Sequence, residues 1–166
     1  MTCENWQEVN LETWRALEEL YNKKQVRAIG VSNFMPTHIE ALKQNIHIMP
    51  MVDQIEFHPG FMQKETVEYC NKNNILVEAW SPLGSGRVLD NIELKKIATK
   101  YHKSVAQICI MWCLQNDVLP LPKSMNSERI KENIDIYGFD ISMEDMNIIN
   151  SLGTFGKSCL DPNRIF

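Results

Sequence analysis

The sequence predicts an α/β fold in which about four parallel strands alternate with helices. Short apolar runs rich in β-branched and aromatic residues alternate with longer amphipathic runs of helical period, the pattern of a parallel sheet with right-handed crossovers. The apolar runs are nearly continuous, which is typical of strands that are buried on both faces. The chain has 166 residues, of which 44% are hydrophobic and 23% charged, a composition typical of a globular domain.

The strands and helices can be assigned in order along the chain. The first helix lies around Trp14, with Asn10 as its expected N-cap. The predicted strands span residues 26–31, 52–57, 75–80 and 118–121, and polar or turn residues follow each of them. Further helices are expected at residues 37–46, 64–73 and 142–152, and two more are expected within residues 91–116. Another helix is expected to begin at Asn126 or Ser127, with Ile130, Ile134 and Tyr137 on one face. Capping patterns begin the helices that follow Ser104 and Ser142.

The sequence predicts one cytoplasmic domain without a membrane or nucleic-acid partner. The domain is expected over residues 1–166, with a lead-in at 1–9 and an extended tail at 153–166, because no linker divides the chain. The net charge of -4 and the absence of a basic stripe argue against nucleic acid. No apolar run reaches the ~18 residues that a membrane span needs, and no secretory signal is expected. Five cysteines without framework spacing favour a reducing compartment.

The candidate functional residues follow the predicted strands, because ligands bind beyond the carboxyl ends of parallel strands. Most are neutral hydrogen-bonding groups, joined by one aromatic ring and one basic cluster. They fit a ligand with an amide, a flat ring and phosphates, since Ser, Asn and Gln both donate and accept and backbone N–H groups of a glycine loop can approach phosphate oxygens. They are Ser32, Asn33, Asp53, Gln54, His58, Trp80, Ser81, Leu83, Gly84, Ser85, Gly86, Lys123, Ser124, Arg129, Glu132 and Asn133.

Each of these residues also has a purely structural interpretation. The Ser32-Asn33 pair is a common helix cap, Trp80 a core side chain, and the glycines beside Ser85 an ordinary turn. The charged residues after Asn126 fit a solvated helix face. Gln54 inside an apolar run is more informative, because a buried amide needs partners. The pattern alone therefore indicates a nucleotide-binding α/β domain.

Four motifs occur in order along the chain. They are Gly30-Val-Ser-Asn-Phe34, Asp53-Gln-Ile-Glu-Phe-His-Pro59, Ala79-Trp-Ser-Pro-Leu-Gly84, and Leu121-Pro-Lys-Ser124 with Arg129 and Glu132-Asn133. Together they closely resemble the aldo-keto reductase family, and the compact tail is similar to that of small prokaryotic members. The resemblance implies part of a (β/α)8 TIM barrel, its strands 5 to 8, because a complete barrel needs at least ~200 residues.

The resemblance also implies NADPH-dependent reduction of aldehydes or ketones. The implied contacts are Ser32, Asn33 and Gln54 to the nicotinamide carboxamide, Trp80 to the ring, Ser81, Leu83 and Ser85 to the pyrophosphate, Lys123, Ser124 and Arg129 to the adenosine 2′-phosphate, and Glu132 and Asn133 near the adenine. Two cations opposite a dianionic phosphate favour NADP over NAD. Two positions depart from the family pattern: Asp53 stands where Asn is usual, and Trp80 where Tyr is more common.

No catalytic residue is expected in this chain, because the family's catalytic Asp, Tyr, Lys and His come from the first four strands. Hydride addition to a carbonyl needs a donor beside the developing alkoxide, yet the four tyrosines fall in helix patterns. His58 is interpreted as shaping the turn with Pro59, with a direct catalytic role as the alternative. The other histidines, His38, His47 and His102, are expected at the surface.

No metal site is expected either. Cys109 and Cys113 lie at i, i+4 on a helix, but no other Cys or His pair has metal-ligand spacing. Buried thiols are therefore the preferred interpretation of this pair.

The leading hypothesis is the cofactor-binding half of an NADP-dependent aldo-keto reductase, which we expect to lack ordinary turnover alone. The alternative is a non-catalytic nucleotide-binding or assembly module. A four-strand half-barrel exposes two apolar sheet edges, which invite pairing with a second copy or with a separately encoded first half.

Overall fold

The structure of the chain, a computed structural model, describes residues 5–158. Its elements are α1 (Trp6–Asn22), β1 (Gly30–Ser32), α2 (Pro36–Lys43), β2 (Val52–Glu56), α3 (Lys64–Lys72), β3 (Leu76–Trp80), a 3-10 turn (Gly84–Gly86), α4 (Ile92–Tyr101), α5 (Val105–Gln115), β4 (Val118–Leu121), α6 (Ser127–Ile134) and α7 (Met143–Asn150). The strands form one sheet in the order β1-β2-β3-β4, and β1 pairs in parallel with β2, with Ser32 opposite Gln54. The predicted alternation of helices with four parallel strands is confirmed.

The first helix begins earlier than the sequence suggested. Its N-cap is Asn5 and its first residue is Trp6, so the prediction of Asn10 as the cap is wrong and part of the expected lead-in at 1–9 is helical. The cause is packing, because the Trp6 ring lies edge-on against His38 with the ring centroids 5.0 Å apart. The apolar face therefore extends one turn further upstream than Asn10.

Several other element ends differ from the prediction, among them the start of β1 and the end of α6. Strand β1 is shorter than the apolar run at residues 26–31, whose first residues pack on a core cluster instead of pairing in the sheet. Helix α6 ends at Ile134, so Tyr137 lies outside it and is exposed. The side chain of Gln107 accounts for this end, because it donates to the carbonyls of Glu132 and Asp135 at 3.1 and 2.7 Å.

Both predicted capping patterns are confirmed. At the start of α5, the Gln107 N–H donates to Ser104 Oγ (3.2 Å) and the Ser104 N–H donates to Gln107 Oε1 (3.0 Å). At the start of α7, Ser142 Oγ accepts from the Asp145 N–H at 3.2 Å. These side chains satisfy backbone donors that a helix leaves unpaired at its first turn.

The described residues fall into two compact units. Unit 1 comprises residues 5–55 and 64–77, and unit 2 comprises residues 56–63 and 78–158. The single domain expected from the sequence stays a prediction. Of the expected tail at 153–166, residues 153–158 have neither helix nor strand, and the rest lies outside the described residues.

Unit 1 is built around Trp14, which is buried and donates from Nε1 to the carbonyl of Ile48 at 3.0 Å. Glu18 is also buried, and its Oε1 accepts from the N–H groups of His47 and Ile48, both at 2.7 Å. The prediction that His38 lies at the surface is wrong, because it packs in this unit and Nδ1 accepts from the Met35 N–H at 2.9 Å. Burial lowers the pKa of His38, since an apolar environment disfavours the charged imidazole.

Unit 2 is built around the buried face of α5. Trp112 stacks on Phe57 with the ring centroids 4.8 Å apart, and its Nε1 donates to Asn150 Oδ1 on α7 at 2.8 Å. Cys109 and Cys113 are fully buried in this helix, which agrees with the interpretation as buried thiols, and burial raises the pKa of Cys109 to about 12. Within residues 5–158, no helix has the length and apolarity to span a membrane.

Candidate functional site

Unit 2 contains a cavity of about 670 Å³, a volume typical of small-molecule sites. It is formed by the loop after β3, the start of α5, the segment after β4 and one face of α6. The predicted residues in its lining are Ser81, Leu83, Ser85, Gly86, Lys123, Ser124, Arg129, Glu132 and Asn133. The sequence therefore identified polar residues that the fold of unit 2 brings to one cavity.

The loop that follows β3 contributes hydroxyl groups to this cavity. Ser81 and Ser85 both have left-handed backbone conformations, with φ of 53° and 54°, and their Oγ atoms lie 2.9 Å apart. The N–H groups of Gly84 and Gly86 donate within the loop, to the carbonyls of Ser81 and Leu83 at 2.8 Å. These two glycine N–H groups are therefore used within the loop, whereas Ser81 and Ser85 line the cavity. The approach of this loop's backbone to a phosphate stays a prediction.

The basic residues of the lining are Lys123, in the segment after β4, and Arg129, in the first turn of α6. Asn126 caps α6, and its Oδ1 accepts from the N–H groups of Glu128 and Arg129 at 2.9 and 3.2 Å. Because the cap uses these donors, an anion here is held mainly by side chains. Lys123 and Arg129 are exposed and form no ion pair with another residue of the 5–158 range. Their positive charges are therefore available to a ligand.

The start of α5 also lines the cavity, and the sequence analysis missed this role. Ser104 and the two residues after it are part of the lining. Gln107 joins this helix to α6, because the same side chain that closes the capping box with Ser104 holds the last carbonyls of α6. Gln107 thereby fixes the helix that carries Arg129 and Asn133. The capping pattern in the sequence predicts the contact of Gln107 with Ser104, but it does not predict the contacts of Gln107 with α6.

Trp80 ends β3 and is half-buried. Its carbonyl accepts from the Phe57 N–H at 3.4 Å. The ring is not part of the cavity lining, so the stacking role of Trp80 stays a prediction.

In unit 1, the structure brings Ser32, Asn33 and Gln54 together at the carboxyl ends of β1 and β2. The Gln54 carbonyl accepts from Ser32 Oγ at 2.8 Å and from the Asn33 N–H at 3.0 Å. Asn33 has a left-handed φ of 58°, and its Nδ2 donates to Ser32 Oγ at 3.3 Å. The turn after β1 is thus hydrogen-bonded to the backbone of β2 at Gln54, the residue that pairs with Ser32 in the sheet.

Asp53, one of the two residues that depart from the family pattern, is fully buried in unit 1. Its Oδ1 accepts from the Phe34 N–H at 3.4 Å, and its Oδ2 lies 4.0 Å from Cys70 Sγ. Burial raises the pKa of Asp53 to about 7, although the Phe34 N–H acts in the opposite direction. The carboxyl therefore titrates near neutral pH.

The candidate acids of the described residues are one buried histidine, three tyrosines in helices and the exposed Tyr137, which follows α6 and is not part of the cavity lining. His58 is fully buried, and its Nδ1 donates to the Pro59 carbonyl at 2.8 Å, which favours the turn-shaping interpretation. Tyr21, Tyr69 and Tyr101 lie in helices. The described residues contain no group of three or more His, Cys, Asp or Glu side chains placed to hold a metal ion.

The sequence model of the Aldo/keto reductase family matches residues 3–154. The chain is 52% identical over 141 residues to glyoxal reductase of Bacillus subtilis, covering 85% of this chain and 51% of that protein. It is 45% identical over 159 residues to 9,11-endoperoxide prostaglandin H2 reductase of Trypanosoma cruzi, covering 94% of this chain and 56% of that protein. The chain thus spans about half the length of the curated relatives it matches.

Solved structures give the same picture. The apo form of Gox0644 superposes with a TM-score of 0.90 at 42% identity, covering 94% of this chain and 58% of that chain. An aldo-keto reductase of Bombyx mori in complex with NADP has a TM-score of 0.83 at 34% identity, covering 92% of this chain and 53% of that chain. Together with the four parallel strands and flanking helices, these likenesses confirm the predicted partial (β/α)8 barrel.

Proposed function

The chain belongs to the aldo/keto reductase family, and from this premise we propose that it carries the NADP(H)-binding residues of an oxidoreductase that reduces aldehydes or ketones to alcohols. The observation that most supports this proposal is the cavity of unit 2, where Lys123 and Arg129, which form no ion pair within residues 5–158, lie with serine hydroxyls. NADPH, when bound, supplies the hydride. We also propose a cytoplasmic location, which the free thiols of Cys70, Cys109 and Cys113 support.

The chemistry of the lining fits a 2′-phosphorylated adenosine. Arg129 and Lys123 supply two positive charges and Ser124 a hydroxyl donor, the combination that binds a dianionic phosphate through charge-assisted hydrogen bonds. Glu132 carries the opposite charge and only accepts when ionised, so it fits the amino group of adenine better than a phosphate. Asn133, one residue further along α6, both donates and accepts, as a purine edge requires.

The remaining contacts are assigned by resemblance. Ser81 and Ser85 present hydroxyl donors to a pyrophosphate, with Leu83 as their apolar neighbour. In unit 1, the amides of Asn33 and Gln54 and the hydroxyl of Ser32 have the mixed donors and acceptors that a carboxamide needs. Trp80 offers an aromatic face to the nicotinamide ring.

We propose that the 166-residue chain binds NADPH without reducing carbonyls by itself. Hydride addition develops negative charge on the carbonyl oxygen and needs a hydrogen-bond or proton donor beside it. The burial of His58, the positions of Tyr21, Tyr69 and Tyr101 within helices, and the absence of Tyr137 from the cavity lining support this proposal.

The test combines calorimetric titration of the purified chain with NADPH and a steady-state assay with NADPH and a simple aldehyde. We expect saturable binding and no turnover above the rate without protein. Ordinary turnover would contradict the proposed inactivity, and absence of NADPH binding would contradict the proposed function itself.

A second candidate function is assembly with another chain, either a second copy or a separately encoded first half. In unit 2, Leu119 and Leu121 on the outer strand β4 are each 41% exposed, and Ile130 and Ile134 on α6 are 52% and 68% exposed. Exposed strands with apolar side chains are templates for pairing. Light scattering on the titrated sample separates the candidates, because self-association predicts twice the mass of 19.3 kDa and a stable monomer contradicts it.

A further inference from the structure

Unit 2 contains a buried polar cluster that the proposed function does not use. Glu56, the last residue of β2, and His58 are both fully buried. Glu56 Oε1 accepts from the N–H and from Oγ of Ser158, at 2.8 and 2.5 Å, and lies 3.5 Å from His58 Nε2. A buried carboxylate is costly unless it is paired, and here the hydrogen-bond donors come from the segment at residues 153–158.

The His58 ring joins this cluster to the loop that lines the cavity. A Cβ placed on Gly84 would lie 3.6 Å from His58 Cε1, and one placed on Gly156 would lie 3.1 Å from the same atom. The ring therefore packs against a glycine of the loop and a glycine of the 153–158 segment. Arg87, directly after the loop, adds a second link by donating to the Gly156 carbonyl at 3.3 Å.

The loop needs such support, because its conformation is strained. Ser81 and Ser85 both have positive φ, a state that is unfavourable for non-glycine residues and persists only where the surroundings enforce it. Gly84 is also left-handed, and a Cβ there would approach Val88 Cγ1 to 2.8 Å. The loop thus packs closely on its inner side, where the His58 ring lies.

We propose that Glu56 and His58 are positioning residues for cofactor binding. They act by holding the 153–158 segment and the Ser81–Ser85 loop in fixed positions relative to each other. Neither residue touches the ligand. Through the two glycine contacts, they fix the loop conformation that places the Ser81 and Ser85 hydroxyls at the cavity. The inference rests on the proposed function and assigns to the 153–158 segment a role in binding the pyrophosphate part of NADPH.

The test compares two ligands on matched variants. NADPH contains the pyrophosphate, whereas adenosine 2′-monophosphate contains only the part assigned to Lys123 and Arg129. For Gly156→Ala, in which the new Cβ presses on His58 and φ is +72°, we expect NADPH affinity to fall about tenfold, or about 1.4 kcal/mol, with adenosine 2′-monophosphate affinity unchanged. Gly153→Ala is the control, because a Cβ there meets nothing within 4 Å.

Two further variants probe the carboxylate itself. Glu56→Gln keeps the shape and removes the charge, with Glu93→Gln on the exposed face of α4 as its control. Ser158→Ala removes the hydroxyl that donates to Glu56 Oε1. Because Ser158 is exposed, we expect this variant to fold even if Glu56→Gln does not. We expect both Glu56→Gln and Ser158→Ala to weaken NADPH binding selectively, and both ligands are titrated by calorimetry after a thermal unfolding check.

Three outcomes would overturn the inference. Equal loss of both ligands would indicate general destabilisation, and unchanged NADPH affinity in all three variants would remove the positioning role. If the unmodified chain bound adenosine 2′-monophosphate but not NADPH, the loop would have no ligand to position. Failure of the unmodified chain to bind either ligand would instead contradict the proposed function, and the inference would fail with it.

Discussion

Replacing Arg129 by Ala should weaken NADPH binding about 10- to 100-fold, because a hydrogen bond to a charged group contributes about 1.5–3 kcal/mol. Arg129 lines the cavity of unit 2 and has no ion-pair partner within the part of the chain that the structure describes. NADH lacks the 2′-phosphate, so its weaker affinity should change less than about twofold. The two dissociation constants, measured by calorimetry, give the selectivity directly.

The matched control for this prediction is Lys131→Ala. Lys131 lies on the same helix, pairs with the exposed Glu128 and does not line the cavity. Lys131→Ala removes the same charge from the chain as Arg129→Ala does, so any general electrostatic effect appears in both variants. An equal loss of NADH affinity in Arg129→Ala, or an equal loss of NADPH affinity in Lys131→Ala, would contradict the assignment of Arg129 to the 2′-phosphate.

Replacing Asp53 by Asn should raise the free energy of unfolding at pH 8 by up to about 4 kcal/mol, since each unit of pKa difference corresponds to about 1.36 kcal/mol. Burial raises the pKa of Asp53 to about 7 from an ordinary value of 3.8. Between these two values the folded chain binds a proton that the unfolded chain has lost, so the contribution of Asp53 to stability falls as pH rises. Asn carries no charge and removes this pH-dependent penalty.

Asp53→Asn can keep the hydrogen bond from the Phe34 N–H, so the experiment isolates the effect of the carboxylate charge on stability. The amide oxygen of Asn can accept from the Phe34 N–H as Asp53 Oδ1 does, so the turn that carries Asn33 keeps its anchor. Urea unfolding at pH 5 and pH 8 should show a larger gain for the variant at pH 8 than at pH 5. Asp140→Asn, at an exposed position, serves as control, and a gain that is equal at both pH values would refute the titration of Asp53 in this range.

The sequence predicted most of the features that depend on local pattern. Strand β4 and the two capping patterns follow from residues close together in the chain, and the cavity lining follows from the rule that ligands bind beyond strand ends. Asn10 failed as a cap because Trp6 packs on His38, a contact between residues 32 positions apart. Such pairings carry no signal in a short window of sequence.

The same reason explains what was missed at the site. Gln107 was recognised as half of a capping box, but its second amide contact, with residues 25 and 28 positions away, depends on how α5 and α6 pack. The bond between Glu56 and Ser158 spans 102 positions. Burial of Asp53 likewise depends on packing, so its charge was visible in the sequence whereas its raised pKa was not.

The most direct test of the account is a titration of the 15N-labelled chain with NADPH, followed by amide correlation spectra. NADPH should cause saturable shifts at residues 81–86 and 123–133, whereas adenosine 2′-monophosphate should shift residues 123–133 alone. These are the two parts of unit 2 that are assigned to the pyrophosphate and to the 2′-phosphoadenosine. Spectra without saturable shifts, or with shifts that leave residues 123–133 unchanged, would contradict the claim that this cavity binds NADP(H).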